Sequence, residues 1–321
     1  MRDEVIKYCL HIVSQCSLTI TILLTFLGIT RHKFYDWSKR YGLENNHNGK
    51  QPKSHWLLPD ERKAVVEYSK SYISKNTYYL KDGYRRIAYR MIDEDVCYAS
   101  PSTVYRILKK EGLLNKWMNK KTSNKGHGFN QPDAPHKHWH TDIKYINFKG
   151  TFLFFISIID GFSRYIIHHE LRTSMSELDV EIVIQRALEK YPDEKPRIIS
   201  DNGSQYISAD FNNFMKETSL QHVRTSPAYP QSNGKIERFH RSLSEECLRS
   251  RSMINLKDAE IQIAEFIDYY NNNRLHSALH YLRPVDFLNG NVAQLIKIRQ
   301  EKLDKACNDR IKYWESKKSV A

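Results

Sequence analysis

Three runs of strand-type residues follow one another closely between residues 138 and 171. The first, HWHTDIKYINF, alternates polar and apolar residues as a half-buried strand does. The second, TFLFFISIIDGF, is almost continuously apolar, which is typical of a central strand covered on both faces. The third is SRYIIHHEL. Because only short turns separate these runs, they predict an antiparallel meander. In the first run the alternation places one set of side chains on each face of the strand: His140, Asp142 and Lys144 on one, and Trp139, Thr141, Ile143 and Tyr145 on the other.

Further strands and helices alternate after this meander. Apolar residues at helical spacing predict a helix over residues 176–190, and RIIS is a short buried strand that ends at Asp201. A helix over residues 209–218, a strand near QHVRTS and a longer helix over residues 235–249 follow. This order predicts an α/β fold with a mixed sheet flanked by helices, which is the order of a ribonuclease-H-like fold.

The composition allows a large core and excludes several classes of protein. With 321 residues, of which 40% are hydrophobic, the chain predicts two or three domains. Its longest apolar run, residues 18–29, is interrupted by threonines and is too short to cross a bilayer, and no signal peptide is visible, so we expect a cytoplasmic protein with no membrane partner. Five scattered cysteines without a CxxC pair argue against a disulfide framework and against a cysteine zinc site.

Positive charge is concentrated in the front of the chain. Residues 1–129 contain 23 Lys and Arg against 12 Asp and Glu, whereas residues 130–321 contain 27 against 25. A solvated surface explains scattered lysines, but this asymmetry favours a region that binds a polyanion such as nucleic acid.

The first basic region has the layout of a helix-turn-helix. Within residues 1–50, LTITILLTFLGITRHKFYDWSKRYG predicts an apolar helix, a turn at Gly28 and a second helix with Thr30 as its N-cap. A small amphipathic helical hairpin is the alternative. The candidate DNA-binding residues of the second helix are Arg31, Lys33, Lys39 and Arg40.

A second unit of the same kind is predicted over residues 56–115. A basic helix is followed by a turn and by a helix with Ser100 as N-cap and Pro101 at its first position. In that second helix we expect Tyr105, Ile107 and Leu108 to face inward. A purely structural helical lead-in is the alternative, and residues 116–131 are interpreted as a basic linker. The candidate DNA-binding residues are Arg85, Arg86, Arg106, Lys109 and Lys110.

Three acidic residues form the candidate catalytic group. Asp142 lies within the first strand, Asp201 at the tip of the fourth, and Glu237 near the start of the helix that follows SPAYPQSNGK. Between Asp201 and Glu237 there are 35 residues. Each acid alone has an ordinary explanation: an exposed strand residue, a turn residue, or a surface acid paired with Arg241 at i+4. Asp160 also ends a strand, but it precedes a glycine turn and is interpreted as structural.

The blocks TDIKY, SDNGSQY and SPAYPQSNGKIERFHRSL resemble those of the retroviral-integrase-like DDE recombinases, in which the last two acids are separated by this same interval. Together with the helical front, they resemble insertion-sequence transposases of the IS-three type, specifically their second-frame product. The resemblance implies a ribonuclease-H-like catalytic core, here residues 132–292, with a basic C-terminal helix over residues 293–321. It also implies that Asp142, Asp201 and Glu237 are metal-binding catalytic acids.

Three carboxylates that lie close together are expected to bind a metal ion, for electrostatic reasons. Three crowded carboxylates repel one another unless a cation neutralises them, and hard divalent cations prefer oxygen ligands. Two Mg²⁺ ions, with Mn²⁺ as substitute, would activate the attacking oxygen and stabilise the leaving oxygen of a phosphodiester. Water attack would nick DNA, and attack by a 3′-hydroxyl would join two strands.

One departure from the family concerns the residue seven positions after the glutamate. Family members commonly carry Lys or Arg there, whereas this chain has Ser244. The missing cation puts activity in doubt, unless Arg241 replaces it. The other candidate DNA contacts in this region are Lys235 and Arg238, and His140, Asn202, Gln205 and Asn233 are weaker ones.

The sequence therefore predicts a Mg²⁺-dependent DNA transposase that cleaves and joins the ends of an insertion sequence. Double-stranded DNA, as element ends and target, is the expected partner, and a homo-oligomer assembled on DNA in the bacterial nucleoid is implied by the resemblance. A catalytically inactive DNA-binding regulator derived from a transposase is the alternative. A nuclease that only hydrolyses is a third reading.

Overall fold

The computed structural model describes residues 2–43, 53, 55–75, 82–114, 131–225 and 233–318. Contacts divide the chain into two compact units, one formed by residues 1–53 with 311–321 and the other by residues 54–310. Within the described ranges, no helix combines the length and the apolar character needed to cross a lipid bilayer.

The described residues at the front of the first unit form three helices: α1 (Arg2–Gln15), α2 (Ile20–Phe26) and α3 (Arg31–Lys39). Gly28 turns the chain between α2 and α3 with a φ of +64°, a conformation that glycine adopts without steric cost. The Thr30 hydroxyl accepts a hydrogen bond from the Lys33 N–H at 3.4 Å, so the expected turn and N-cap are confirmed. The small core of this unit consists of Ile6, Cys9, Leu23, Leu24 and Phe34.

The second unit begins with three more helices: α4 (Pro59–Lys75), α5 (Tyr84–Asp93) and α6 (Pro101–Lys110). Ser100 caps α6 by accepting from the Thr103 N–H, as predicted. Tyr105 does not face inward, and this prediction was wrong. It is 38% exposed, because Val104, Ile107 and Leu108 already form the buried stripe of α6 and Tyr105 lies outside that stripe, against the ring of Tyr84. The predicted linker over residues 116–131 lies almost entirely outside the described residues.

A five-stranded sheet forms the centre of the second unit. Its strands are β1 (His138–Phe148), β2 (Thr151–Asp160), β3 (Ile166–Arg172), β4 (Arg197–Ser200) and β5 (His222–Arg224), in the order β3-β2-β1-β4-β5. The first three strands are antiparallel, and β4 and β5 add in parallel on the other side of β1. This mixed sheet, with helices on both faces, confirms the expected ribonuclease-H-like fold.

Helices cover both faces of the sheet. On one face, α7 (Glu177–Lys190) and α8 (Ala209–Glu217) pack against Trp139, Ile143 and Ile156. On the other face, α9 (Gly234–Leu243) and α10 (Leu256–Asn272) pack against Ile146 and Phe155. The expected alternation of β1 is thereby confirmed, and it leaves Asp142 on the face that α9 covers. The short helix α11 (Pro284–Leu288) and the long helix α12 (Val292–Lys318) follow.

Ion pairs connect the helical lead-in to the rest of the second unit. Arg299 on α12 pairs with Asp93 on α5 at 2.6 Å, and Arg310 on α12 pairs with Glu61 on α4 at 2.8 Å. Arg90 on α5 donates to the Asn273 carbonyl oxygen at 2.7 Å. The segment 56–115 therefore belongs to the same compact unit as the sheet, and the finer domain boundaries given above stay a prediction.

Candidate active site

Asp142 lies in the middle of the most central strand, where its backbone pairs with Ser157 of β2. One carboxylate oxygen, Oδ1, accepts a hydrogen bond from the N–H of Ile143 at 2.9 Å. The other, Oδ2, lies 3.4 Å from Nδ1 of His240 on α9. Nε2 of that imidazole lies 3.0 Å from the Ser157 hydroxyl. His240 thus connects the helix to two neighbouring strands at the position of the aspartate.

Asp201 lies beside Asp142, at the end of the parallel neighbour strand β4. Its Oδ1 accepts from the Gly203 N–H at 3.0 Å, which closes a tight turn. Burial raises the pKa of Asp201, and the negative charge of Asp142 adds to the increase, whereas the Gly203 hydrogen bond opposes it. Two of the three predicted acids are therefore close enough to interact electrostatically, and a cation between them would relieve that repulsion.

A buried tyrosine lies beneath this pair. The Tyr206 hydroxyl is 3.1 Å from the Thr141 hydroxyl, and its ring is completely buried. Burial raises the pKa of Tyr206 above its ordinary value, and both aspartates contribute. A second hydrogen bond also holds the turn after Asp201: the Asn202 side-chain amide donates to the Thr225 carbonyl oxygen at 2.8 Å.

Glu237, the third predicted acid, is exposed in the first turn of α9. It stands one helical turn before His240, which contacts Asp142, so the helix that carries it runs past the two aspartates. Among the described residues, no three His, Cys, Asp or Glu side chains come close enough together to hold a metal ion. The structure thus brings Asp142 and Asp201 together but does not add Glu237 to them, and the three-acid group stays a prediction.

Ser244 ends α9 and begins a π-helical turn that extends to Leu248. Its hydroxyl donates to the His240 carbonyl oxygen at 2.8 Å, so it caps its own helix. Within the π turn, Glu246 forms two hydrogen bonds with Arg274, at 2.7 and 2.8 Å, and both side chains are buried. The position seven residues after Glu237, where the sequence resemblance led us to expect Lys or Arg, therefore holds a short side chain that hydrogen-bonds to the backbone of its own helix.

Two basic side chains meet at the Gly161 carbonyl oxygen, beside the start of α9. Lys235 Nζ and Arg164 Nη1 both donate to the carbonyl oxygen of Gly161, at 2.8 and 3.0 Å. Burial lowers the pKa of Lys235 to about 7 and that of Arg164 to about 10. His140 is 1% exposed, and burial lowers its pKa to about 3, so it is neutral. A Cβ at Gly161 would lie 3.0 Å from Nε2 of His140, so the glycine permits this close approach.

Asp160 has the structural role expected for it. Its carboxylate accepts from the backbone N–H groups of His136, Phe162 and Ser163, and also from the Ser163 hydroxyl. These hydrogen bonds fix the turn between β2 and β3.

The predicted DNA-binding side chains of the helical regions are mostly on the surface. Arg86 differs, because it forms an ion pair of 2.6 Å with the buried carboxylate of Asp82, and Arg40 pairs with Asp36 at 3.1 Å. The exposed candidates, on α3, α5, α6 and α9, are Arg31, Lys33, Lys39, Arg85, Arg106, Lys109, Lys110, Arg238 and Arg241. Their contact with DNA stays a prediction.

Sequence reasoning missed His240 and Ser157. The signals were a histidine three residues after Glu237, which is one turn along the same helix face, and a single hydroxyl in the apolar run FLFFISII. Neither signal alone specifies a contact between residues so far apart in the chain.

Family comparison adds an independent observation to this geometry. Two models described as integrase core domain match residues 132–230 and residues 218–284. Together the two matches span residues 132–284. Asp142, Asp201 and Glu237 all lie within this span.

The proteins that resemble this chain include transposases. The transposase for insertion sequence element IS904 of Lactococcus lactis is 30% identical over 156 residues, which cover 48% of this chain and 62% of that protein. A transposase for insertion sequence IS3A of Escherichia coli is 27% identical over 207 residues, which cover 60% of this chain and 71% of that protein. The resemblance to transposases of the IS-three type is thereby confirmed. The chain spans less than two thirds of the length of the Lactococcus relative.

Solved structures with a similar core include the catalytic core domain of HTLV-2 integrase in complex with magnesium. It is 15% identical, with a TM-score of 0.40, and the match covers 48% of this chain and 97% of that one.

Proposed function

We propose that this protein is a DNA transposase that cleaves and joins the ends of an insertion sequence. The observation that carries the proposal is the closeness of Asp142 and Asp201, at adjacent central strands, within the span that matches the integrase core models. The transposases named above support the choice of substrate. Segments 1–50 and 56–115 would bind the element ends, and a homo-oligomer on DNA would bring two ends together.

Two acids at the site supply the type of ligand that a hard divalent cation prefers. Asp142 and Asp201 provide carboxylate oxygens, which such ions prefer. The raised pKa of Asp201 reflects burial and repulsion that a bound cation would relieve. Asp142 and Asp201 would hold Mg²⁺, or Mn²⁺ in its place, and Glu237 would complete the site. The bound metal supplies Lewis acidity that stabilises charge on the attacking and leaving oxygens of the phosphodiester.

The side chains around the acids orient them for this task. His240 lies against Asp142 and Ser157, so the imidazole limits rotation of the carboxylate. The Gly203 N–H holds Asp201 in its turn, and Lys235 fixes the start of α9 to the Gly161 carbonyl oxygen. In-line displacement at phosphorus needs this kind of positioning more than it needs a covalent nucleophile.

The proposal is tested by incubating the full chain with labelled element-end duplexes and Mg²⁺. Asp201→Asn should abolish nicking and joining while leaving the melting temperature and DNA binding intact. Asp193→Asn is the matched control, because Asp193 is an exposed acid on a loop away from the sheet centre. Binding without nicking or joining by the parent protein would favour the inactive regulator, and nicking without joining would favour a nuclease.

A further inference from the structure

Lys144 lies on the same strand face as Asp142. Two residues along β1 correspond to about 6.6 Å, and the strand alternation points both side chains toward α9. Lys144 pairs with Phe155 of β2 through its backbone and is half-buried. Its position is therefore fixed by the most central pair of strands.

The ammonium group of Lys144 forms no hydrogen bond or ion pair with any side chain or carbonyl in the part of the chain that the structure describes. Other half-buried cations of the core are paired: Arg172 contacts Glu170 at 2.7 Å and Asp179 at 2.7 Å. A half-buried ammonium group that makes no hydrogen bond within the described residues is available to an anionic ligand.

The course of α9 places the end of the helix beside Lys144. Lys235 contacts the Gly161 carbonyl near the start of β1, His240 contacts Asp142, and Leu243 packs in the same cluster as Ile146. Helix α9 therefore runs in the same direction as β1. Ser244 lies about 6 Å beyond His240 along the helix axis, which places it beside Lys144 on the strand. Because residue 244 is a serine, α9 provides no positive charge at this position, and the nearby cation on the strand is Lys144.

We propose that Lys144 is the cation that contacts a backbone phosphate of the substrate DNA in the active site, in the place where residue 244 provides none. The ligand is a non-bridging phosphate oxygen next to the bond that is cleaved. The inference rests on the proposed function for the identity of the substrate. Arg249, at the end of the π turn, adds positive potential on the same side.

The test compares Lys144→Met with the parent protein, and Lys195→Met, an exposed lysine remote from the sheet centre, is the control. Strand joining by Lys144→Met should fall about 10- to 100-fold, because a hydrogen bond to a charged group contributes about 1.5 to 3 kcal/mol. The salt dependence of end-DNA binding should weaken by about one phosphate contact. The melting temperature should stay equal or rise, which a merely structural lysine would not allow.

Relocating the charge sharpens the test. Adding Ser244→Lys to Lys144→Met should restore most of the lost joining and the salt dependence, because the new ammonium group would enter the same space from the helix. Parental joining and salt dependence in Lys144→Met would overturn the proposal, and so would a loss that Ser244→Lys does not restore. If the parent protein never cleaves but Lys144→Met still weakens the salt dependence, the proposed function fails and the phosphate contact stands.

Discussion

The buried ion pair between Glu246 and Arg274 gives a quantitative prediction about the π turn that ends α9. The two side chains are 9% and 7% exposed and form two hydrogen bonds with each other. Glu246→Gln would leave the Arg274 guanidinium buried without its counter-charge. Removing one partner of such a pair costs about 3 to 5 kcal/mol. We expect the turn to open more often by at least the lower value, which is about 10²-fold.

Cys247 reports this opening directly, because its thiol lies in the same turn and is completely buried. Burial raises the pKa of Cys247 to about 11, so the folded turn protects the thiol from alkylation. Its labelling rate under native conditions should therefore increase about 10²-fold in Glu246→Gln, while that of the exposed Cys16 stays constant.

A paired substitution separates lost charge balance from lost packing. Glu246→Met with Arg274→Met removes both charges and keeps similar volumes, so Cys247 labelling should return to within about 10-fold of the parental rate. If Glu246→Gln labels at the parental rate, the ion pair does not stabilise the turn and the reasoning is wrong. A double variant as labile as the single one would assign the effect to packing.

Two further predictions concern stability and thiol chemistry. Burial raises the pKa of Asp179, but hydrogen bonds from Ser174, Ser176 and Arg172 outweigh it and hold the folded pKa at about 2, below the ordinary 3.8. This stabilisation of about 2 kcal/mol is present above pH 4 and is lost as the pH falls toward 2. In urea unfolding at pH 7, Asp179→Asn should therefore have a lower free energy of unfolding than the parent. At pH 3 the difference between the two proteins should be smaller. Burial also raises the pKa of Cys97 to about 12, so a disulfide reagent at pH 8 should modify Cys16 at once and Cys97 only after denaturation; rapid native modification of Cys97 would contradict its burial.

The sequence predicted the strands well because their signals are local. Close spacing of the three runs determined the meander, and alternation in HWHTDIKYINF placed Asp142 on the correct face of β1. The approach of Asp201 to Asp142 was also predictable, since β4 ends in a carboxylate and joins the sheet beside β1. The prediction that Tyr105 faces inward was wrong, because the buried side of that helix is formed by Val104, Ile107 and Leu108.

Contacts between distant segments could not be predicted. Ser157 and His240 are 83 residues apart, and nothing in either segment specifies the other. The π turn depends on Arg274, which reaches Glu246 from 28 residues further along the chain. Such contacts arise only when α9 and α10 pack on the sheet, because side-chain partners are chosen by packing and not by local propensity.

The backbone hydrogen bonds between β1 and its neighbouring strands determine which parts of the site can move. Asp142 is embedded in β1, whose backbone pairs with β2 at Asp142 itself and with β4 as far as His140, so a displacement of this aspartate would disrupt the sheet. Glu237 instead stands on α9, which contacts the sheet through side chains such as Lys235 and His240. If a substrate draws the three acids together, we therefore expect Asp142 to keep its place and Glu237 to move toward it.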